Sequence, residues 1–236
     1  MTLPRLWSFT LTTRSDSLTS RDNARRVLNF FIASAALIVA FVPMLVIAAL
    51  IKLTSRGPVL FTQQRVGLNR RAPEHSGGNR RRHADCGGLT FTMYKFRTMQ
   101  VQSAGAGAGA AAQVWATPDD PRITSIGRVL RKLRLDELPQ LWNVVMGDMN
   151  IVGPRPEQLA IFASLREQID EYARRQQVLP GITGWAQINQ AYDSSVDDVR
   201  QKLTYDLEYI RNRSTLHDLK IMLLTPAVML GRRYGW

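Results

Sequence analysis

The sequence predicts an α+β protein that is mostly helical, with an N-terminal re-entrant membrane helix, a small antiparallel β-hairpin and several amphipathic helices at the membrane interface. Three observations support this prediction. An uncharged apolar run occupies residues 27–50, two strand-like segments follow at 59–66 and 89–99, and apolar residues recur at helical spacing from Thr124 onward. The 236 residues suffice for one domain with its own core plus a membrane element.

The apolar run, VLNFFIASAALIVAFVPMLVIAAL, carries no charged residue. It exceeds the roughly 20 apolar residues that a bilayer-spanning helix needs. A cleaved signal peptide is one alternative, but the run starts late and is longer than the apolar core of such a peptide. A buried helix of a soluble protein is another, and the run is long for one. The run is therefore predicted to enter a membrane.

The course of this helix follows from its flanks and from Pro43. Basic residues lie at both ends of the run, so both flanks are expected on the cytoplasmic side. Pro43 interrupts the run, and a proline kinks a helix because it removes a backbone hydrogen bond. These features predict a re-entrant helix over residues 27–51, broken near Pro43. A straight span with a kink at the proline is the alternative.

The net charge limits the class of partner. The formal charge of +12 at pH 7 implies an anionic partner, which is nucleic acid, an anionic membrane surface or a phosphorylated substrate. No nucleic-acid-binding module is recognisable, and the apolar run favours lipid and phosphate, so no nucleic acid is expected. A phosphate-binding P-loop, a dinucleotide fingerprint and a nucleophile elbow are also missing, and cysteine and histidine are too few for a structural zinc site.

The chain divides into four predicted segments: a polar N-terminal segment, the membrane helix, a cytoplasmic domain and an interfacial C-terminal tail, at 1–26, 27–51, 52–225 and 226–236. The tail is placed at the interface because an apolar face ends there in Arg-Arg-Tyr-Gly-Trp. Residues 69–88 and 103–112 are predicted to be loops, since glycines recur in both.

Secondary structure in the cytoplasmic domain follows from apolar spacing. The two strand-like segments are predicted to pair as an antiparallel hairpin. Helices are predicted from a cap at Thr124 or Ser125 through Leu133, and then over 137–146, 157–177, 196–212 and 215–230. A loop is predicted at 147–157, and a turn with a short extended piece at 179–189.

Two adjacent carboxylates, Asp136 and Glu137, lie among arginines in the segment LRLDELPQLWN. Pro139 fits the first turn of a helix, which makes Asp136 the predicted N-cap of the helix over 137–146. The helix dipole and the arginines would keep Asp136 ionised there. A cap with incidental charges is one interpretation. The other is a phosphoryl-transfer site, in which cations neutralise phosphate oxygens and an aspartate attacks phosphorus.

Four long motifs occur in order: GPVLFTQQRVG, YKFRTM, DDPRITSIGRVLRKLRLDELPQLWNVVMGDMNIVGPRPE and PGITGWAQIN. Together they resemble the bacterial sugar transferases, the small monotopic phosphoglycosyl transferases, over residues 25–225. The resemblance implies an enzyme at the cytoplasmic face of the bacterial inner membrane, with 52–225 as its catalytic domain. The implied reaction moves sugar-1-phosphate from a UDP-sugar to polyprenyl (undecaprenyl) phosphate and releases UMP, as the first step of exopolysaccharide, capsule, O-antigen or related glycan assembly.

The resemblance also assigns site residues. Asp136 and Glu137 become the catalytic pair, with Asp136 attacking the sugar-bearing phosphorus to form a covalent intermediate. Mg²⁺ (or Mn²⁺) is the implied cofactor, with Asp136 as its ligand, and Glu137 would orient the metal or take the acceptor's proton. Implied phosphate-binding residues are Arg131 and Arg155, with further candidates in YKFRTM, namely Lys95 and Arg97. The alternative for those last two is a strand face that covers the carboxylates or touches lipid headgroups.

Some features depart from the family pattern. The loops 69–88 and 103–112 look like insertions, and Gln190 stands where the family has glycine. Membrane lipid is an implied partner, and a second copy of the chain or other glycosyl transferases of the pathway are candidates. Two other classes of protein stay open. A non-catalytic basic membrane scaffold would release no nucleotide, and a metal-dependent glycosyl transferase that moves only the sugar would release UDP.

Overall fold

The computed structural model describes residues 20–69, 88–101, 120–190 and 195–231. Almost all of the two predicted loops, 69–88 and 103–112, lies outside the described residues. So do the first 19 residues of the predicted polar segment and the last five of the predicted tail.

Seven α-helices and four strands are found in the described residues. The helices are α1 (Ser20–Thr54), α2 (Ser125–Lys132), α3 (Gln140–Met146), α4 (Leu159–Gln168), α5 (Trp185–Asn189), α6 (Val196–Asn212) and α7 (Thr215–Gly231). The strands are β1 (Leu60–Val66), β2 (Thr90–Phe96), β3 (Asn150–Val152) and β4 (Gly181–Thr183). Two short 3₁₀ helices, Leu135–Glu137 and Tyr172–Gln177, complete the described structure. The predominance of helix confirms that the fold is α+β and mostly helical, as predicted.

The strands form two small sheets. β1 and β2 pair antiparallel, from Leu60 opposite Phe96 to Val66 opposite Thr90, which confirms the predicted hairpin. β3 and β4 pair in parallel, with Asn150 opposite Gly181, inside segments that were predicted as a loop and a turn. Each of these strands has only three residues, so neither shows an alternation that periodicity could detect.

Several predicted helices are confirmed, with changes at their ends. Thr124 caps α2 through its side chain, α6 has the predicted bounds, and the Ser214 hydroxyl accepts from the His217 amide at the start of α7. The predicted helix over 157–177 is two elements, α4 and the second 3₁₀ helix. Residues 226–231, predicted as the start of the tail, are the last turns of α7.

The long helix α1 is uninterrupted, with Pro43 inside it, where a break was predicted. Its stretch Asp22–Thr54 is long and apolar enough to cross a membrane, by length and composition. The helix begins at Ser20, seven residues before the predicted start. A re-entrant course stays a prediction.

Both ends of α1 are fastened to the same body. Near its start, Arg25 donates to Asp218 and Tyr209, and the Asn29 amide oxygen accepts from the Ile151 backbone at 2.8 Å. Near its end, apolar side chains join a buried cluster shared with β2 and α2, made of Ile47, Ile51, Phe96 and Leu130. The outward face of α1 between these points is apolar and exposed, with Ile38 and Val39 more than three-quarters accessible.

Candidate active site

A sharp turn positions the two carboxylates. Helix α2 ends at Lys132, Arg134 adopts a left-handed backbone conformation (φ 56°), and one 3₁₀ turn then covers Leu135–Glu137. Helix α3 begins only at Gln140, with Pro139 at its N-cap position. The prediction that Asp136 caps this helix is therefore wrong. Because the 3₁₀ turn intervenes, the side chain of Asp136 is directed into the protein.

Asp136 is buried, with 7% of its surface accessible. Its Oδ1 atom has no hydrogen-bond partner among the described residues. Burial raises the pKa of Asp136, and Glu137 adds to the rise, while Lys95, Arg155 and Arg134 oppose it. The sequence had suggested an exposed carboxylate kept ionised by a helix end, and burial explains why the pKa shift has the opposite sign.

Glu137 accepts two charged hydrogen bonds on one oxygen. Its Oε1 lies 2.8 Å from the Lys95 ammonium nitrogen and 2.7 Å from Nη2 of Arg155. Burial, the largest single influence, would raise the pKa of Glu137, but the charges of Arg155 and Lys95 together outweigh it. The pKa of Glu137 is consequently held well below its usual value, so this residue stays ionised and is a weak base.

Strand β2 and helix α3 bring Lys95 to the carboxylates. The buried side chain of Asn143 joins the two elements, since its amide nitrogen donates to the Thr92 carbonyl at 2.8 Å. Its amide oxygen accepts from the Tyr94 backbone N–H at 3.1 Å. Burial lowers the pKa of Lys95, although the neighbouring Glu137 favours the charged form.

A buried ion network supports the loop that carries Arg155. The carbonyl of Arg155 accepts from Nη2 of Arg175 at 3.1 Å, and Nε of Arg175 donates to Asp206 at 2.7 Å. Glu157 joins through Arg175 and Lys202. Burial alone would raise the pKa of Glu157, but the charges of Lys202 and Arg175 lower it to about 2. The backbone beside Arg155 is thus held by a buried ion network in which Glu157 stays ionised.

Two of the predicted phosphate-binding residues, Arg131 and Arg97, donate hydrogen bonds to groups other than the two carboxylates. Nε of Arg131 donates to the Thr98 hydroxyl at 2.9 Å. Arg97 donates to the Ser55 carbonyl at 2.9 Å, to the Ser55 hydroxyl at 2.8 Å and to the Arg56 carbonyl, so it fastens the chain that leaves α1. The structure therefore groups Asp136, Glu137, Lys95 and Arg155, and it adds one cation that sequence reasoning missed, Arg134. The sequence feature that could have identified Arg134 is its position two residues before Asp136.

The described residues contain no cluster of three or more histidine, cysteine, aspartate or glutamate side chains that would hold a metal by itself. Magnesium, however, is commonly bound by one or two carboxylates together with substrate phosphates. Asp136, with its unpartnered Oδ1, fits that mode of binding. Glu137 fits it less well, because its Oε1 is already shared by two cations.

Comparison with known proteins gives consistent matches. The chain matches the family described as bacterial sugar transferase over residues 20–232. It is 44% identical to the undecaprenyl-phosphate glucose phosphotransferase of Komagataeibacter xylinus over 199 residues, which are 82% of this chain and 33% of that protein. It is 40% identical to the UDP-glucose:undecaprenyl-phosphate glucose-1-phosphate transferase of Caulobacter vibrioides, covering 89% of this chain and 70% of that one.

A further relative has almost the same length. The exopolysaccharide production protein PSS of Rhizobium leguminosarum is 35% identical, over 90% of this chain and 98% of its own. The described residues combine a helix that is long and apolar enough to cross a membrane with a carboxylate pair among cations. This chain belongs to the bacterial sugar transferase family.

Proposed function

We propose that this protein transfers sugar-1-phosphate from a UDP-sugar to undecaprenyl phosphate, with release of UMP, at the cytoplasmic face of the bacterial inner membrane. The observation that carries the proposal is the unpartnered, buried Oδ1 of Asp136, beside three cations. A buried carboxylate oxygen without a partner is costly, and such costs are concentrated at functional sites. The names of the relatives, which describe transfer of sugar phosphate to undecaprenyl phosphate, support the same reaction.

The proposed reaction has two displacements at phosphorus. Oδ1 of Asp136 attacks the sugar-bearing phosphorus of the donor, and the bond from that phosphorus to the bridging oxygen breaks, so that UMP leaves with the electron pair. A phosphate oxygen of the acceptor then attacks the same phosphorus. The bond to Asp136 breaks, which regenerates the carboxylate and yields undecaprenyl diphosphate sugar. A bound Mg²⁺ would neutralise phosphate oxygens next to Asp136.

In this scheme Glu137 positions two cations and does not transfer a proton. It holds Lys95 and Arg155 at 2.8 and 2.7 Å from one oxygen, and the charges of both cations act on Asp136. A base is not needed for the second displacement, because a phosphate monoester has its second pKa near 6 and is largely dianionic at neutral pH. The strongly lowered pKa of Glu137 also makes it poorly suited to accept a proton.

The contacts of α1 support association with one side of the membrane. A straight bilayer span separates its two ends by roughly 30 Å of hydrocarbon. In this protein Asn29, near one end, and Ile51, near the other, contact one continuous body, which supports a helix that enters and leaves on the same side. Other exposed apolar side chains would lie at the same surface, among them Leu133, Trp142, Leu216 and Leu223.

The nucleotide product tests the proposal. Purified protein in detergent or nanodiscs is incubated with undecaprenyl phosphate, Mg²⁺ and UDP-glucose or other UDP-sugars. UMP is the expected product, and Asp136→Asn should abolish its release. UDP as the product would indicate a transferase that moves only the sugar. Lipid binding without any nucleotide release from a full donor panel would indicate a basic membrane scaffold.

A further inference from the structure

Arg134 is unusual in its backbone conformation. It is one of two non-glycine residues with positive φ in the part of the chain that the structure describes, and the other is Glu171. The left-handed region is unfavourable for a side chain with a Cβ, and such residues are concentrated at functional sites. The conformation of Arg134 sets up the turn that places Asp136 and Glu137.

The guanidinium of Arg134 makes only a long ion pair with the carboxylates. Its Nη1 lies 3.9 Å from Oε1 of Glu137, which is too long for a hydrogen bond. Within the described residues its side chain makes no hydrogen bond, and 28% of that side chain is accessible. Lys95 and Arg155, in contrast, each donate to Glu137 at less than 3 Å. A cation with open donors therefore stands at the edge of the site.

Arg134 changes the net charge of the site. Lys95 and Arg155 together match the two carboxylates when Asp136 is ionised, so without Arg134 the site would have no net positive charge. A diphosphate donor carries at least two negative charges and must approach an anionic nucleophile. The guanidinium of Arg134 supplies the surplus positive charge, in a planar form that suits two phosphate oxygens at once.

We propose that Arg134 is a substrate-binding residue, whose guanidinium takes the diphosphate of the nucleotide-sugar donor in front of Asp136. This rests on the proposed function, because it names a residue that binds the donor of that reaction. The residue contributes its charge and its open hydrogen-bond donors, while its strained backbone keeps the guanidinium beside the two carboxylates.

The test uses Arg134→Gly, because glycine accepts the left-handed backbone and removes only the side chain. The matched control is Glu171→Gly, which makes the same backbone change at φ 63°, in an exposed residue far from the site in sequence. We expect Arg134→Gly to raise the KM for the UDP-sugar at least tenfold, with an unchanged or higher melting temperature. The control should leave the KM unchanged. Arg134→Lys should recover part of the loss.

Direct binding of a nucleotide gives a second readout, which is independent of turnover. Calorimetric titration with UDP, which carries the diphosphate but no transferable sugar, should show binding to the wild type weakened at least tenfold in Arg134→Gly. Unchanged donor KM and UDP affinity, with UMP still released by the wild type, would overturn the role of Arg134 alone. A wild type that releases no UMP would overturn the proposed function.

Discussion

The ammonium of Lys95 and the carboxylate of Glu137 lie 2.8 Å apart, on two elements separated by 42 positions in the chain. This ion pair joins the hairpin to the turn that carries Asp136. Arg155 reaches the same oxygen from a third element, so one carboxylate oxygen organises both cations. Among the described residues, Oδ1 of the neighbouring Asp136 is left without a hydrogen-bond partner, which suits the proposed role as nucleophile.

Asp136→Asn should abolish UMP release without weakening the fold. The folded-state pKa of Asp136 is raised, so its ionised form is less favourable in the folded protein than in the unfolded chain. Removing that charge should leave the melting temperature at pH 7 equal or higher. Scanning calorimetry and a nucleotide assay on the same sample check both parts. A marked loss of stability would show that the carboxylate supports the fold.

Glu137→Gln should destabilise the protein by roughly 3 kcal/mol at pH 7, because it leaves two partly buried cations without their buried counter-charge. The pKa of Glu137 is lowered in the folded state, so its contribution is fully present above its usual pKa of 4.5 and is lost as pH falls further. Urea titrations of wild type and variant should therefore converge under acidic conditions. Glu171→Gln, at an exposed ion pair, should change stability by less than about 1 kcal/mol.

Arg97→Met should lower stability by about 3 kcal/mol, because its buried guanidinium holds the Ser55 and Arg56 carbonyls where the chain leaves α1. The donor KM of the folded enzyme should stay within twofold of the wild-type value. Gly57→Ala should be similar, since a Cβ at that position would collide with the same guanidinium. A large rise in KM at unchanged stability would instead favour the phosphate-binding role that the sequence suggested.

Cysteines placed at Asn23 and Arg56, in a Cys86→Ser background, should be on the same side of the membrane. Both positions are exposed and flank the apolar part of α1. An impermeant maleimide added to intact spheroplasts should label neither, and both should react after lysis. Labelling of one position from outside would mean that α1 spans the bilayer.

Sequence patterns predicted the elements with regular spacing and missed those set by tertiary contacts. The hairpin and α6 were found because their apolar residues alternate or recur over many positions. Lys95 and Arg97 seemed equivalent in YKFRTM, since alternate residues of a strand share a face. Strand β2, however, ends at Phe96, so Arg97 lies beyond the strand and does not have to share the face of Lys95. Its side chain instead donates to the Ser55 carbonyl, next to the end of α1.

The motif around Asp136 located the candidate site, but it did not predict the direction of the pKa shift of Asp136. The sequence places Asp136 beside Pro139 and several arginines, which suggests an exposed helix cap. The left-handed residue Arg134 and the following 3₁₀ turn bury the carboxylate instead, and burial reverses the sign of its pKa shift. No local pattern revealed that the loop of Arg155 is held by Arg175, because that contact joins segments that only the fold brings together.

Intact-protein mass spectrometry can detect the proposed covalent link between Asp136 and the sugar phosphate. The purified protein is incubated with Mg²⁺ and a UDP-sugar that it turns over, without acceptor lipid, and quenched in acid. We expect a mass increase of one sugar phosphate, which should be absent in Asp136→Asn and should disappear when undecaprenyl phosphate is added before the quench. An unchanged mass in an enzyme that releases UMP once acceptor is supplied would contradict the covalent route.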